Sequence, residues 1–167
     1  MQRTHYNSNF KKQQFPITIV CDAISNAPNI GSLFRVADAF GVEELIFCGE
    51  DIELGKRMKK TSRSTEKYVN YKVGIDINKV IQRFKEKDYQ IIALEITTNS
   101  KSLYELQLNK NKPIVLVLGN ENLGISEGIL STADDIMHIN MYGENSSMNV
   151  VQATSIALYE ITNQLNS

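Results

Sequence analysis

The chain has 167 residues, 42% hydrophobic and 22% charged, which is enough apolar material for the core of an ordinary globular domain. No apolar run approaches the roughly 20 residues of a membrane helix, and the polar start M-Q-R-T-H-Y-N-S-N-F-K-K has no signal core, so a cytoplasmic protein is expected. The net charge of −1 conceals a division: residues 1–112 carry 18 basic and 13 acidic side chains, whereas 113–167 carry 6 acidic ones and no Lys or Arg.

Residues 1–15 read as a polar arm, and 16–167 as one domain without repeats or linkers. Pro16–Cys21 is a β-branched run and predicts the first strand. Asp22–Pro28 reads as a turn, after which Asn29 is placed to cap a helix with Ile30, Leu33, Phe34, Ala37 and Phe40 on its apolar face and Gly41 as its stop. Glu43–Cys48 predicts a second strand, and strand–helix–strand with short connections signals a parallel βαβ unit. Cys21 and Cys48 each end such a run and read as buried free thiols.

A polar loop with a helical turn near Leu54–Lys60 is expected over 51–64. Seven basic residues fall within 56–72, a segment able to bind phosphates if it is more than a solvated loop. Tyr68–Val73 alternates like an edge strand, Ile75–Lys87 is an amphipathic helix, and Tyr89–Glu95 is another strand. Ser102–Leu108 suggests a helical turn or two. Ile114–Leu118 is continuously apolar, as in strands covered on both faces. A short helix at 125–131, a short strand at Ile136–Ile139 and a closing helix from Ser147 to Gln164 complete the pattern.

The two turns after the last apolar runs, L-G-N-E-N-L-G-I-S and I-N-M-Y-G-E-N-S-S-M-N-V, are rich in Gly and Asn and carry no cation. In open α/β sheets ligands bind where strands end, so these turns predict a small-molecule pocket. No P-loop is present, and no G-x-G-x-x-G follows the first strand. His5 and His138 lie far apart and near no Cys or paired carboxylates, so no metal site is expected. His138 lies inside a strand pattern and reads as a satisfied core or edge histidine.

Three motifs remain: N-x-G-x-x-x-R at Asn29, Gly31 and Arg35; L-G-N-E-N-L-G at 118–124; and I-N-M-Y-G-E-N-S-S-M-N-V at 139–150. In this order they resemble the motifs of the SpoU (TrmH) family of RNA ribose 2′-O-methyltransferases, in the SPOUT superfamily, and K-T-S-R-S-T-E-K-Y-V at 60–69 looks like that family's middle loop. The resemblance implies an α/β fold, a parallel sheet with helices on both faces and a C-terminal deep trefoil knot, which no pattern argument would suggest because knots are very rare. It implies S-adenosylmethionine as cofactor, RNA as partner, with tRNA favoured over rRNA, and a homodimer. Matched cofactor positions are Leu118, Gly119, Glu121, Gly124, Ile139, Met141, Gly143, Met148 and Asn149; matched catalytic positions are Arg35, Asn29, Glu121, Ser147 and Asn149. Lys56, Arg57, Lys59, Lys60, Arg63 and Lys67 are the expected RNA contacts.

Each position has a plainer reading. Asn29 and Ser147 suit helix N-caps, Arg35 a surface helix position, and Glu121 a turn. A non-catalytic RNA-binding protein on the same fold is the alternative, and a domain for another nucleotide, such as a flavin, is a third. The chain departs from the family at Asn140, where Pro is usual, at Met148 for Leu, at Val151 for Ser, and at Ser64 for a small Gly.

Overall fold

The computed structural model describes residues 10–167 other than Asp51 and Glu53. His5 and most of the expected arm lie outside the described residues, and residues 10–14 form no regular structure. Seven strands form one sheet, and all of its strand pairs are parallel. They are β1 (Phe15–Asp22), β2 (Val42–Cys48), β3 (Asn70–Ile75), β4 (Gln90–Leu94), β5 (Lys101–Ser102), β6 (Ile114–Leu118) and β7 (Asp135–His138), in spatial order β3-β2-β1-β6-β4-β7-β5. Every residue of β6 is buried, as its unbroken apolar run requires, and the strand lies between β1 and β4 at the centre of the sheet.

The helices are α1 (Ala27–Ala39), α2 (Lys56–Ser62), α3 (Ile77–Glu86), α4 (Glu127–Leu130) and α5 (Val150–Asn166). Successive strand side chains point to opposite faces, so the sheet feeds two cores. On one face Ile30, Leu33 and Phe34 of α1, Met58 of α2 and Leu158 and Ile161 of α5 pack on Ile17, Ile19 and Leu116. On the other, Val80, Ile81 and Phe84 of α3 and Ile129 of α4 cover Val20, Ile91, Val115 and Val117. Helices therefore cover both faces, as expected.

The helix starts differ from the sequence reading. Asn26, not Asn29, caps α1, its side chain accepting from the Asn29 N–H at 3.1 Å. Pro28 falls inside the first turn, where its missing N–H leaves no bond unmade. Asn149, not Ser147, caps α5 by accepting from the Val151 N–H at 2.9 Å. The side chains of Asn29 and Ser147 are thereby free of capping duty. The basic stretch is a seven-residue helix rather than a loop with one turn, and it ends on Arg63 and Ser64, both left-handed at φ 52° and 69°. Ser64 thus occupies, at a steric cost, a conformation suited to the Gly usual in the family. β5 has no counterpart in the sequence reading because two residues are too few to show alternation. β7 begins and ends one residue earlier than expected, and only a single 3-10 turn, Leu103–Glu105, forms within 102–108.

Candidate active site

The loop after β6 is fixed from three sides. Asn120 and Gly124 exchange backbone hydrogen bonds at 3.2 and 2.8 Å, and the Asn120 carboxamide oxygen accepts from the N–H groups of Asn122 and Leu123. The Asn120 Nδ2 donates to the Ala23 carbonyl at 2.8 Å, and the Ser126 N–H donates to Asp22 Oδ2 at 3.1 Å, which tie the loop to the end of β1. At the end of β4, Glu95 Oε2 accepts from the Ile125 N–H at 3.0 Å and Oε1 from its neighbour Ile96 at 2.9 Å. This crossing demands glycine twice. A Cβ on Gly119 would stand 2.5 Å from the Gly124 carbonyl carbon, and one on Gly124, at φ +68°, would stand 2.7 Å from Glu95 Oε2.

Beneath this loop and the segment 139–149 lies a cavity of about 730 Å³. Of the cofactor positions implied by the sequence, Leu118, Gly119, Glu121, Gly124, Ile139, Met141, Met148 and Asn149 line it, and Gly143 does not. Gly143 has nothing within 4 Å of a built Cβ, so close approach does not explain its being glycine. Glu95, Thr97, Asn145 and His138 also line the cavity and were not singled out as site residues. Only the position of Glu95 at the end of a predicted strand could have hinted at its part. His138 is half-buried and opens on the cavity rather than into the core or a sheet edge.

Among the catalytic candidates, Asn29, Glu121 and Asn149 form one hydrogen-bonded chain. Asn149 Nδ2 donates to Asn29 Oδ1 at 3.2 Å, and Asn29 Nδ2 donates to Glu121 Oε1 at 2.5 Å. Each of the three motifs thus contributes one member, and the contacts close sequence separations of 92 and 120 residues. The chain also fixes the orientation of both amides, since each carboxamide oxygen is accepting while its nitrogen donates. Ser147 lines the cavity, its hydroxyl 3.5 Å from the Asn145 side-chain oxygen.

Arg35 stands apart from this cluster. It is exposed on α1 and lines a separate cleft of about 420 Å³ with Pro28, Arg57, Lys60, Thr61 and Arg63. Among the described residues none of these four cations is ion-paired. Gly31 makes the cleft by letting α2 approach: a Cβ there would lie 2.5 Å from the Met58 carbonyl oxygen. Lys56 and Lys59, on α2, and Lys67, in a 3-10 turn, do not line it.

The family model described as the SpoU rRNA Methylase family matches residues 16–159. The chain belongs to that family. This SpoU chain is 33% identical over 155 residues to a tRNA (guanosine(18)-2′-O)-methyltransferase of Aquifex aeolicus, across 92% of its own length and 72% of the relative's. It superposes on the crystal structure of an A. aeolicus TrmH/SpoU tRNA modifying enzyme with a TM-score of 0.82 and 30% identity, covering 93% of this chain and 78% of that one. It shares its fold, at a TM-score of 0.84 and 23% identity, with an AdoMet-bound rRNA methyltransferase from Sinorhizobium meliloti, of which it spans 60%.

Proposed function

We propose that the chain is an S-adenosylmethionine-dependent RNA 2′-O-ribose methyltransferase with tRNA as its acceptor. The observation that carries this reading is the juxtaposition of a cavity without Lys or Arg and a cleft lined by Arg35, Arg57, Lys60 and Arg63. The cavity fits the cofactor: it is large enough for a nucleoside with an amino-acid arm, has apolar walls at Leu118, Ile139 and Met148, and carries carboxylates at Glu95 and Glu121 that suit a sulfonium. Among the described residues the buried Asn140 side-chain oxygen has no partner; it lies between Ile139 and Met141, which line the cavity, and does not line it itself. When bound, that cofactor supplies an electrophilic methyl group. The curated A. aeolicus relative supports tRNA over rRNA.

The protein's own part is binding and orientation. Arg35 and its neighbours grip the RNA backbone beside the hydroxyl to be modified, and the Glu121–Asn29–Asn149 chain couples α1 to the cavity. A guanidinium is a planar cation and a poor base, which makes charge stabilisation the part for Arg35. It stabilises the oxyanion that develops as the hydroxyl proton leaves to solvent or phosphate. Residues 16–167 act as a single unit in this reading, since one sheet contains every strand. The reading includes a trefoil knot, supported by the path of 139–149, which returns from β7 across β4 and β6 until Asn149 meets Asn29. A homodimer and a cytoplasmic location complete it; among the described residues no helix is long and apolar enough to cross a membrane.

The test is methyl transfer to bulk tRNA. Wild-type protein is expected to incorporate label, and Arg35→Lys to lose about a hundredfold in turnover with unchanged cofactor affinity, because a point charge replaces a planar fork. Near-normal turnover by Arg35→Lys would remove the role given to the guanidinium. No incorporation by wild-type protein that still binds the cofactor would favour a non-catalytic RNA-binding protein.

A further inference from the structure

His138 ends β7 and opens on the cavity, in a position none of the three motifs covers. The hydrogen bonds of Ser100 assign the His138 tautomer. The Thr97 N–H donates to Ser100 Oγ at 3.0 Å, and the Ser100 hydroxyl donates to the Thr97 carbonyl at 2.9 Å. A hydroxyl has one proton, and placed on the Thr97 carbonyl, which also takes the Ser100 N–H at 3.3 Å, it leaves Oγ an acceptor toward the ring. The contact of Ser100 Oγ with His138 Nδ1 at 3.0 Å therefore needs the ring to donate. The neutral imidazole then carries its hydrogen on Nδ1 and leaves a bare lone pair on Nε2. Among the described residues Nε2 has no hydrogen-bond partner.

The surroundings indicate what this acceptor meets. Leu94, Ile96 and Ile139 line the same side of the cavity, and Ile96 is 56% exposed, which leaves apolar surface for a flat aromatic ring. The polar Glu121–Asn29–Asn149 chain, next to α1 and the cationic cleft, lies at the other side. In the strand order β1-β6-β4-β7, the end of β7 is three strand spacings, roughly 14 Å, from the end of β1 that leads into α1. A nucleoside cofactor that directs its reactive end toward Arg35 places its base against β4 and β7.

We propose that His138 Nε2 accepts a hydrogen bond from the exocyclic amino group of the cofactor's adenine, which makes His138 a specificity-determining residue. The Ser100–Thr97 turn is its positioning device, holding the ring in the accepting tautomer. This rests on the adenosylmethionine reading of the cavity.

The test is calorimetric titration of the full chain with S-adenosylhomocysteine and with its 6-oxo analogue, S-inosylhomocysteine, which presents an oxygen where adenine presents an amine. Wild-type protein is expected to prefer the amino ligand at least tenfold. His138→Ala is expected to lose about tenfold for the amino ligand and nothing for the oxo ligand, the size of one hydrogen bond. Equal losses for both ligands, or no loss for either, overturn the assignment. Should the variant not fold, wild-type protein that binds both ligands equally overturns it alone. Failure of wild-type protein to bind S-adenosylhomocysteine at all would instead remove the cofactor reading, and the role of His138 with it.

Discussion

Asn149 carries two duties that a single substitution separates. Its Oδ1 caps α5 and its Nδ2 holds Asn29, which in turn holds Glu121. Asn149→Asp keeps the capping oxygen and adds a negative charge at a helix N-terminus, where it is favourable by about 0.3–1 kcal/mol. It sets an acceptor against the Asn29 oxygen, so the chain to Glu121 breaks. A urea melt should show stability retained or raised while methyl transfer falls tenfold or more. Asn149→Ala should lower both, with about 1 kcal/mol of stability lost with the cap. The pairing itself could not be read from the chain. Asn, Glu and Asn are named by their motifs, but a contact across 120 residues depends on the sheet order, which no local pattern encodes. For the same reason Asn29 and Ser147 looked like caps: any Asn or Ser before a periodic run offers an oxygen, and only the backbone decides which one is used.

Helix α1 is organised by its first two turns. Asn29 meets Glu121 and Asn149, Gly31 meets α2, and Arg35 reaches the cleft one turn on. The spacing N-x-G-x-x-x-R therefore records two faces of one helix, Asn29 on one and Gly31 with Arg35 a turn apart on the other, which is why Arg35 lies away from the residues it was grouped with. Gly31→Ala puts a methyl against the Met58 carbonyl and the Thr61 Cβ, both of which must move. A cost of about 1–3 kcal/mol is expected by thermal melting. RNA affinity should fall while cofactor affinity holds, because α2 carries Arg57 and Lys60 and touches no wall of the cavity. Long apolar periods were legible at this scale: β1, β2, α3, β4 and β6 stand within two residues of where alternation or amphipathicity put them. The failures are short or charge-rich elements. β5 has two residues, and α2 is held by burying Met58 and Ser62 under α1, a tertiary contact without a sequence signature.

Across the whole molecule the two cysteines set an alkaline limit. Burial pushes the Cys21 thiol well up, and burial with the nearby charge of Asp22 pushes Cys48 up to about 12. The unfolded thiols ionise near 8.5, so above that pH the unfolded state sheds protons that the folded state keeps. Stability should fall from about pH 8.5 toward 12, by up to roughly 1.4 kcal/mol per pH unit per thiol, and denaturant melts along that range check it. Cys48→Ala should flatten the decline. At this scale the separation of charge was plain in the sequence, but its geometry was not. The cation-free tail folds over the sheet centre, and the basic segment packs beside it on α1, so two unlike surfaces adjoin.

That division bears on what happens after the methyl group has moved. Among the described residues the formal charges on the cavity wall are the carboxylates of Glu95 and Glu121, with no Lys or Arg beside them. A sulfonium entering such a space is attracted, and a thioether leaving it has lost the charge that attracted it. In the proposed reading, the wall that recruits the fresh donor thus holds the spent one less tightly.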